Sequence, residues 1–86
     1  MDKRKAVKYM LSNLTNDNFV NFCHELVHRK GKPQVLRNMV QGKSCSEITD
    51  VLLSVFNEKA VEVAAELLNE IECNKEADQL CEYFMV

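Results

Sequence analysis

The residues best suited to do chemistry are Cys23, His24 and His28, which lie within six positions of one another. Two imidazoles spaced i and i+4 share a helix face and supply two of the nitrogen donors that a zinc shell needs. No third and fourth ligand stands nearby in the sequence. Cys23 is also turned about 100° from His24 on a helix of about 3.6 residues per turn, onto the apolar stripe. The expectation is therefore a solvated helix face carrying the histidines and a core position for the cysteine, with no metal and no cofactor. An activated nucleophile, or an acid–base pair set in a cleft, is not evident elsewhere, and the chain is not expected to be an enzyme.

The remaining cysteines, Cys45, Cys73 and Cys81, form no C-x-x-C pair with each other or with Cys23. All four are expected as reduced thiols of a cytoplasmic protein. MDKRKAVKYM opens the chain without an apolar run of signal-peptide length behind it, and no window approaches the roughly 20 apolar residues of a membrane span. A membrane surface would have only Lys3, Arg4, Lys5 and Lys8 to attract, a short cluster whose neighbouring apolar residues are needed for a core.

Charge is divided along the chain. Residues 1–43 carry nine basic and three acidic side chains, a net of +6, whereas residues 44–86 carry two basic and ten acidic, a net of −8. A nucleic-acid binder displays a basic stripe without a larger opposing acidic field, because its affinity comes from neutralising phosphates. Nucleic acid is thus not an expected partner. Outward helix faces are usually charged, but exposure alone does not segregate the signs. Complementary patches steer and register protein partners, and a patch that meets a different patch on an identical copy makes a heterologous contact that closes into a ring or grows as a filament.

The elements that must position these charges are helices. The chain of 86 residues is 47% hydrophobic and 28% charged, with two Gly and one Pro, which suits one small domain poor in helix breakers. Apolar residues recur at helical spacing in five stretches: Val7, Met10, Leu11 and Leu14; Phe19, Phe22, Cys23 and Leu26; Ile48, Val51, Leu52, Val55 and Phe56; Val61, Ala64, Ala65, Leu68 and Ile71; Ala77, Leu80, Cys81 and Phe84. Thr15 or Asn16 is expected to cap the second stretch, with Leu14 and Phe19 as a hydrophobic staple if Thr15 does so. Ser44 and Glu47 have capping-box spacing before the third, and Asn57 and Asn74 are candidate caps for the last two. Gly31, Lys32 and Pro33 predict a loop, Gly42 a stop, and Val35–Val40 at most a short helix between them. Connections this short predict neighbouring helices packed antiparallel around one core. The expectation is an all-α, six-helix bundle with an irregular third helix.

The residues in this order resemble the pyrin domain of the death-domain superfamily. LSNLTNDNFVNFCHEL looks like that family's passage from helix 1 to helix 2, SEITDVLLSVF resembles its helix 4, and KAVEVAAELLNEIECNKEADQL its helices 5 and 6. The resemblance spans nearly the whole chain and implies a single module, residues 1–86, at the N-terminus of a larger protein. It implies binding to other pyrin domains, by self-association or to an inflammasome adaptor, with filament growth as one outcome. In the family, acidic residues of helices 1 and 4 meet basic residues of helices 2 and 3, and Glu47, Asp50 and Arg37 match such positions. This chain departs from the pattern elsewhere: helix 2 carries Val20, Asn21, Cys23 and Glu25 where Lys is common, and helix 1 is basic, with Lys5, Tyr9 and Ser12 at acidic sites. A rearranged interface, a selective partner or weak self-assembly would follow. Expected partner-binding residues are Lys5, Lys8, Arg37, Lys43, Glu47, Asp50, Glu58 and Glu62. The alternative is a caspase-recruitment or death-effector type module of the same fold.

Overall fold

Thr15 opens the first legible junction of the chain by accepting a hydrogen bond on its hydroxyl from the Asn18 N–H, at 3.1 Å, so it and not Asn16 is the cap. The computed structural model describes residues 3–30 and 33–82, and everything described is helix or connection. Helices α1 (Lys3–Ser12), α2 (Asn16–His28), α3 (Arg37–Val40), α4 (Cys45–Phe56), α5 (Ala60–Glu70) and α6 (Asn74–Glu82) follow in order, with a 3-10 turn at Asn57–Lys59. The expected six-helix bundle is what forms. None of these helices is long and apolar enough to cross a membrane.

The core follows the apolar periodicity closely. Val7, Met10 and Leu11 of α1, Phe22 and Leu26 of α2, Ile48, Leu52 and Phe56 of α4, and Ala77 and Leu80 of α6 are all buried. Helix α5 is the hub. It buries seven of its eleven residues, including Val63 and Leu67 beyond the expected stripe, because α6, α4, α2 and α1 all pack against it. Alanines at 60, 64 and 65 allow that close approach from several sides. Helix α1 lies chiefly on α4, with further contact to α6 and α5, which brings the basic start of the chain against its acidic second half. Phe84, expected to continue the α6 stripe, and Gly31 and Lys32 of the expected loop lie outside the described residues.

Local chemistry sets the ends. Ser44 and Glu47 form the expected reciprocal box: the Glu47 N–H donates to the Ser44 hydroxyl at 3.4 Å, and the Ser44 N–H donates to the Glu47 carboxylate at 3.3 Å. Helix α3 is a single turn, too short to persist by hydrogen bonding alone, and it is pinned by buried Val35 before it and Val40 within it. Gly42 then takes φ +71°, a conformation that costs little only without a Cβ.

Two caps fall differently from expectation. Asn57 ends α4 with φ +52° and enters the 3-10 turn, and α5 begins three residues later without a side-chain cap. Asparagine tolerates positive φ better than most residues, so it suits a reversal as well as a cap. Asn74 is the first residue of α6, and the Ala77 N–H donates to the Cys73 carbonyl at 3.0 Å. The preceding turn explains the shift: the Cys73 N–H reaches the Leu68 carbonyl at 2.7 Å and the Glu72 N–H reaches Asn69 at 3.1 Å, with Glu72 at φ +66°. That is a Schellman closure of α5; it ends at Cys73, which directly precedes α6, so Asn74 falls inside the helix and not at its cap.

Candidate interaction surfaces

Helices α2 and α3 leave between them a groove of about 380 Å³, lined by Phe19, Val20, Cys23, Val27 and Val40 and edged by His24, His28, Arg37 and Lys43. No acidic side chain lines it. Val20 is 63% exposed, and Leu36, at the entrance to α3, is 58% exposed. The Cys23 thiol is pushed up to about 11, mainly by burial and further by Cys45 nearby, so at neutral pH it stays protonated and behaves as part of the apolar lining. Such a surface can bury an apolar anchor while its edge attracts carboxylates.

The histidines on that edge sit as the sequence spacing requires. Their ring centroids are 4.2 Å apart and tilted by 30°. The His28 Nδ1 lies 2.8 Å from the His24 carbonyl oxygen, and because a carbonyl only accepts, Nδ1 carries the proton. Among the described residues no group of three or more His, Cys, Asp or Glu side chains is arranged to hold a metal ion.

A second surface is formed where α1 packs on α4. Arg4 of α1 pairs with Asp50 of α4. Glu47, one turn earlier, accepts from the Ser44 N–H and from the Ser44 hydroxyl at 3.2 Å, and lies 3.7 Å from the Lys43 ammonium. The Ser44 backbone hydrogen bond, with the side-chain bond and Lys43 adding to it, holds the Glu47 carboxyl below the usual carboxylate range. Both carboxylates of this surface therefore already have cationic partners within the chain.

A third contact ties α2 to α4 and α5. The Arg29 guanidinium lies over the Phe56 ring, 5.2 Å from its centroid, and 3.8 Å from the Glu66 carboxylate. With its side chain only 24% exposed, Arg29 acts as a clamp on the bundle.

The expected site residues thus divide. Arg37 and Lys43 meet at the α2–α3 groove, and Lys43 links that groove to Glu47 and so to α4. Lys5 and Lys8 are exposed on α1, one and four positions from Arg4. Glu58 and Glu62 are exposed on the 3-10 turn and the first turn of α5, away from the groove lining. Arg4, Arg29 and Leu36 were missed by sequence reasoning. A pairing across helices, such as Arg4 with Asp50, has no spacing signal along the chain, whereas Leu36 could have been flagged as an apolar residue left off every helical stripe.

Comparison with known proteins agrees with this architecture. Residues 6–78 match the family model described as the PAAD/DAPIN/Pyrin domain. The chain is 34% identical over 73 residues to a zebrafish (Danio rerio) protein named caspase a, a match that covers 84% of this chain and 19% of that relative. The chain thus spans about a fifth of the length of the curated relative it matches. Pyrin domains are interaction modules of the death-fold superfamily, and the match favours that family over the caspase-recruitment and death-effector alternatives. The helical bundle, the order of its elements and the match over residues 6–78 place this chain in the pyrin-domain family.

Proposed function

We propose that the chain is a recruitment module that binds other pyrin domains and so brings its parent protein into an inflammasome-type signalling assembly in the cytoplasm. The observation that carries this is the α2–α3 groove, an exposed apolar surface with Arg37 and Lys43 at its edge and no acidic residue in its lining. Partner binding runs through Arg37 and Lys43 on the basic side, with Glu47, Asp50, Glu58 and Glu62 as the acidic side and Lys5 and Lys8 as an added basic patch on α1. The family match supports interaction as the role of these surfaces. The likeness to a protein named as a caspase supports a parent chain whose effector function lies outside these residues, and neither nucleic acid nor a membrane is required by the scheme.

The test is capture of a panel of purified pyrin domains, including the matched segment of zebrafish caspase a, by the immobilised chain. Capture that is lost on Arg37→Glu while helical circular dichroism is unchanged is the expected result. A correctly folded chain that captures no member of the panel overturns the proposal.

A further inference from the structure

Resting on the reading that this module binds other pyrin domains, we infer that the α1 face carrying Lys5, Lys8 and Tyr9 docks into the cleft between α2 and α5 of a second copy of the chain. The incoming face is a single helical stripe. Lys5, Lys8 and Tyr9 stand at i, i+3 and i+4 and share one side of α1; all three are exposed, while Ala6, Val7, Met10 and Leu11 hold the opposite side against the core. Tyr9 is 53% exposed, an aromatic side chain with a polar tip, of the kind that anchors protein contacts. Neither lysine belongs to the ion pairs of the described residues, whose member from α1 is Arg4. The stripe therefore presents two cations beside one apolar anchor.

The receiving cleft has a volume of about 310 Å³, room for one phenol ring. Leu67 is the apolar residue of its lining, and Glu25, Glu66 and Glu70 stand around it with Arg29 and Lys30. Arg29 is already engaged, over Phe56 and beside Glu66. Glu25 and Glu70 thus keep their charge for an incoming base, and they outnumber Lys30. Glu62, Glu66 and Glu70 also form a row at i+4 spacing along α5, which Glu58 on the 3-10 turn extends. Like charges at that spacing repel one another, and cations brought from outside relieve the repulsion. Tyr9 of the docking copy brings its ring to Leu67 and donates its hydroxyl to a carboxylate of the rim, with Lys5 and Lys8 meeting Glu25 and Glu70. The chain's own α1 does not fill the cleft, because it packs chiefly on α4 and Tyr9 is absent from the lining. Charge selects this cleft over the α2–α3 groove, where Lys5 and Lys8 would meet Arg37 and no carboxylate, a like-charge approach that disfavours contact. Two different patches meet, so the contact is heterologous and adds copies head to tail.

Sedimentation velocity of the folded chain over a concentration series, at low and at physiological salt, reads the contact. Wild type is expected to show an average mass that climbs with concentration and falls with added salt. Tyr9→Ala weakens the association by on the order of tenfold. Either charge swap abolishes it, Lys5→Glu with Lys8→Glu on α1 or Glu25→Lys with Glu70→Lys at the cleft. The two swapped chains are each monomeric alone and associate when mixed, since the acidic α1 of one then meets the basic cleft of the other. Arg37→Glu leaves self-association unchanged. Circular dichroism checks that each variant is folded, and should a double swap not fold, Tyr9→Ala is decisive by the same reading. Wild type that stays monomeric at every concentration and salt overturns the inference. So do swapped chains that remain apart when mixed, and oligomers that survive Tyr9→Ala or dissolve on Arg37→Glu. Capture of other pyrin domains, lost on Arg37→Glu, tests the recruitment role separately, so the two readings fail in distinguishable ways.

Discussion

Ser44 and Glu47 bind each other at the start of α4, and single side chains there have measurable weight. Ser44→Ala removes the acceptor for the Glu47 amide and is expected to cost about 1 kcal/mol, or roughly 4–8 °C in melting temperature for a domain of this size. Glu47 has a folded pKa lowered from 4.5. Its contribution is therefore complete above the unfolded value and is lost as pH falls through the folded one. Thermal melts should show the gap between wild type and Glu47→Gln narrowing as pH drops below 4.5, and a gap that widens in acid would contradict the box. Cys23 has the opposite sign, because burial raises its pKa from 9.0 to about 11 and its neutral form is the one favoured by folding up to pH 9, a preference lost as pH rises through 11. Peptide-resolved alkylation at pH 8 should label Cys23 far more slowly in the native chain than in denaturant. Equal rates would place that thiol outside the groove lining.

The helices themselves were largely legible because their signals are local. Thr15 and Ser44 announce their caps by type and spacing, and five apolar stripes name most of the core. What was not legible lies at the turns. Asn57 and Asn74 have the composition of caps, but one takes positive φ to end α4 and the other is absorbed into α6 by the Schellman turn before it. Helix α3 was visible only as a weak stretch, since burial of Val35 and Val40, not propensity, holds its single turn. Glu72 sits at φ +66°, where a side chain costs about 1–2 kcal/mol, so Glu72→Gly should raise stability by about 0.5–1 kcal/mol in urea unfolding after the entropy of glycine is charged against it. Gly42→Ala should lower stability by about 1 kcal/mol, through backbone strain alone, because an added Cβ meets nothing within 4 Å.

At the scale of the whole molecule, the net charges of +6 and −8 on the two halves were plain in the sequence, but their use was not. Each of the pairs Arg4–Asp50, Arg29–Glu66 and Lys43–Glu47 joins a base of the first half to an acid of the second. Packing α1 on α4 and α2 on α5 brings the first two together, a meeting that no periodicity along the chain encodes, whereas Lys43 and Glu47 are i,i+4 neighbours. Exposed pairs of this kind contribute only about 0–1 kcal/mol each to stability; their larger effect is to decide which charges remain to greet a partner. Arg37 remains beside the α2–α3 groove, next to exposed Val20. The most direct measurement is the affinity of the folded chain for its captured pyrin-domain partner before and after Arg37→Glu, with circular dichroism matched. The groove account predicts a loss on the order of tenfold or more, steeper at low salt where charge is least screened, and an unchanged affinity would contradict it.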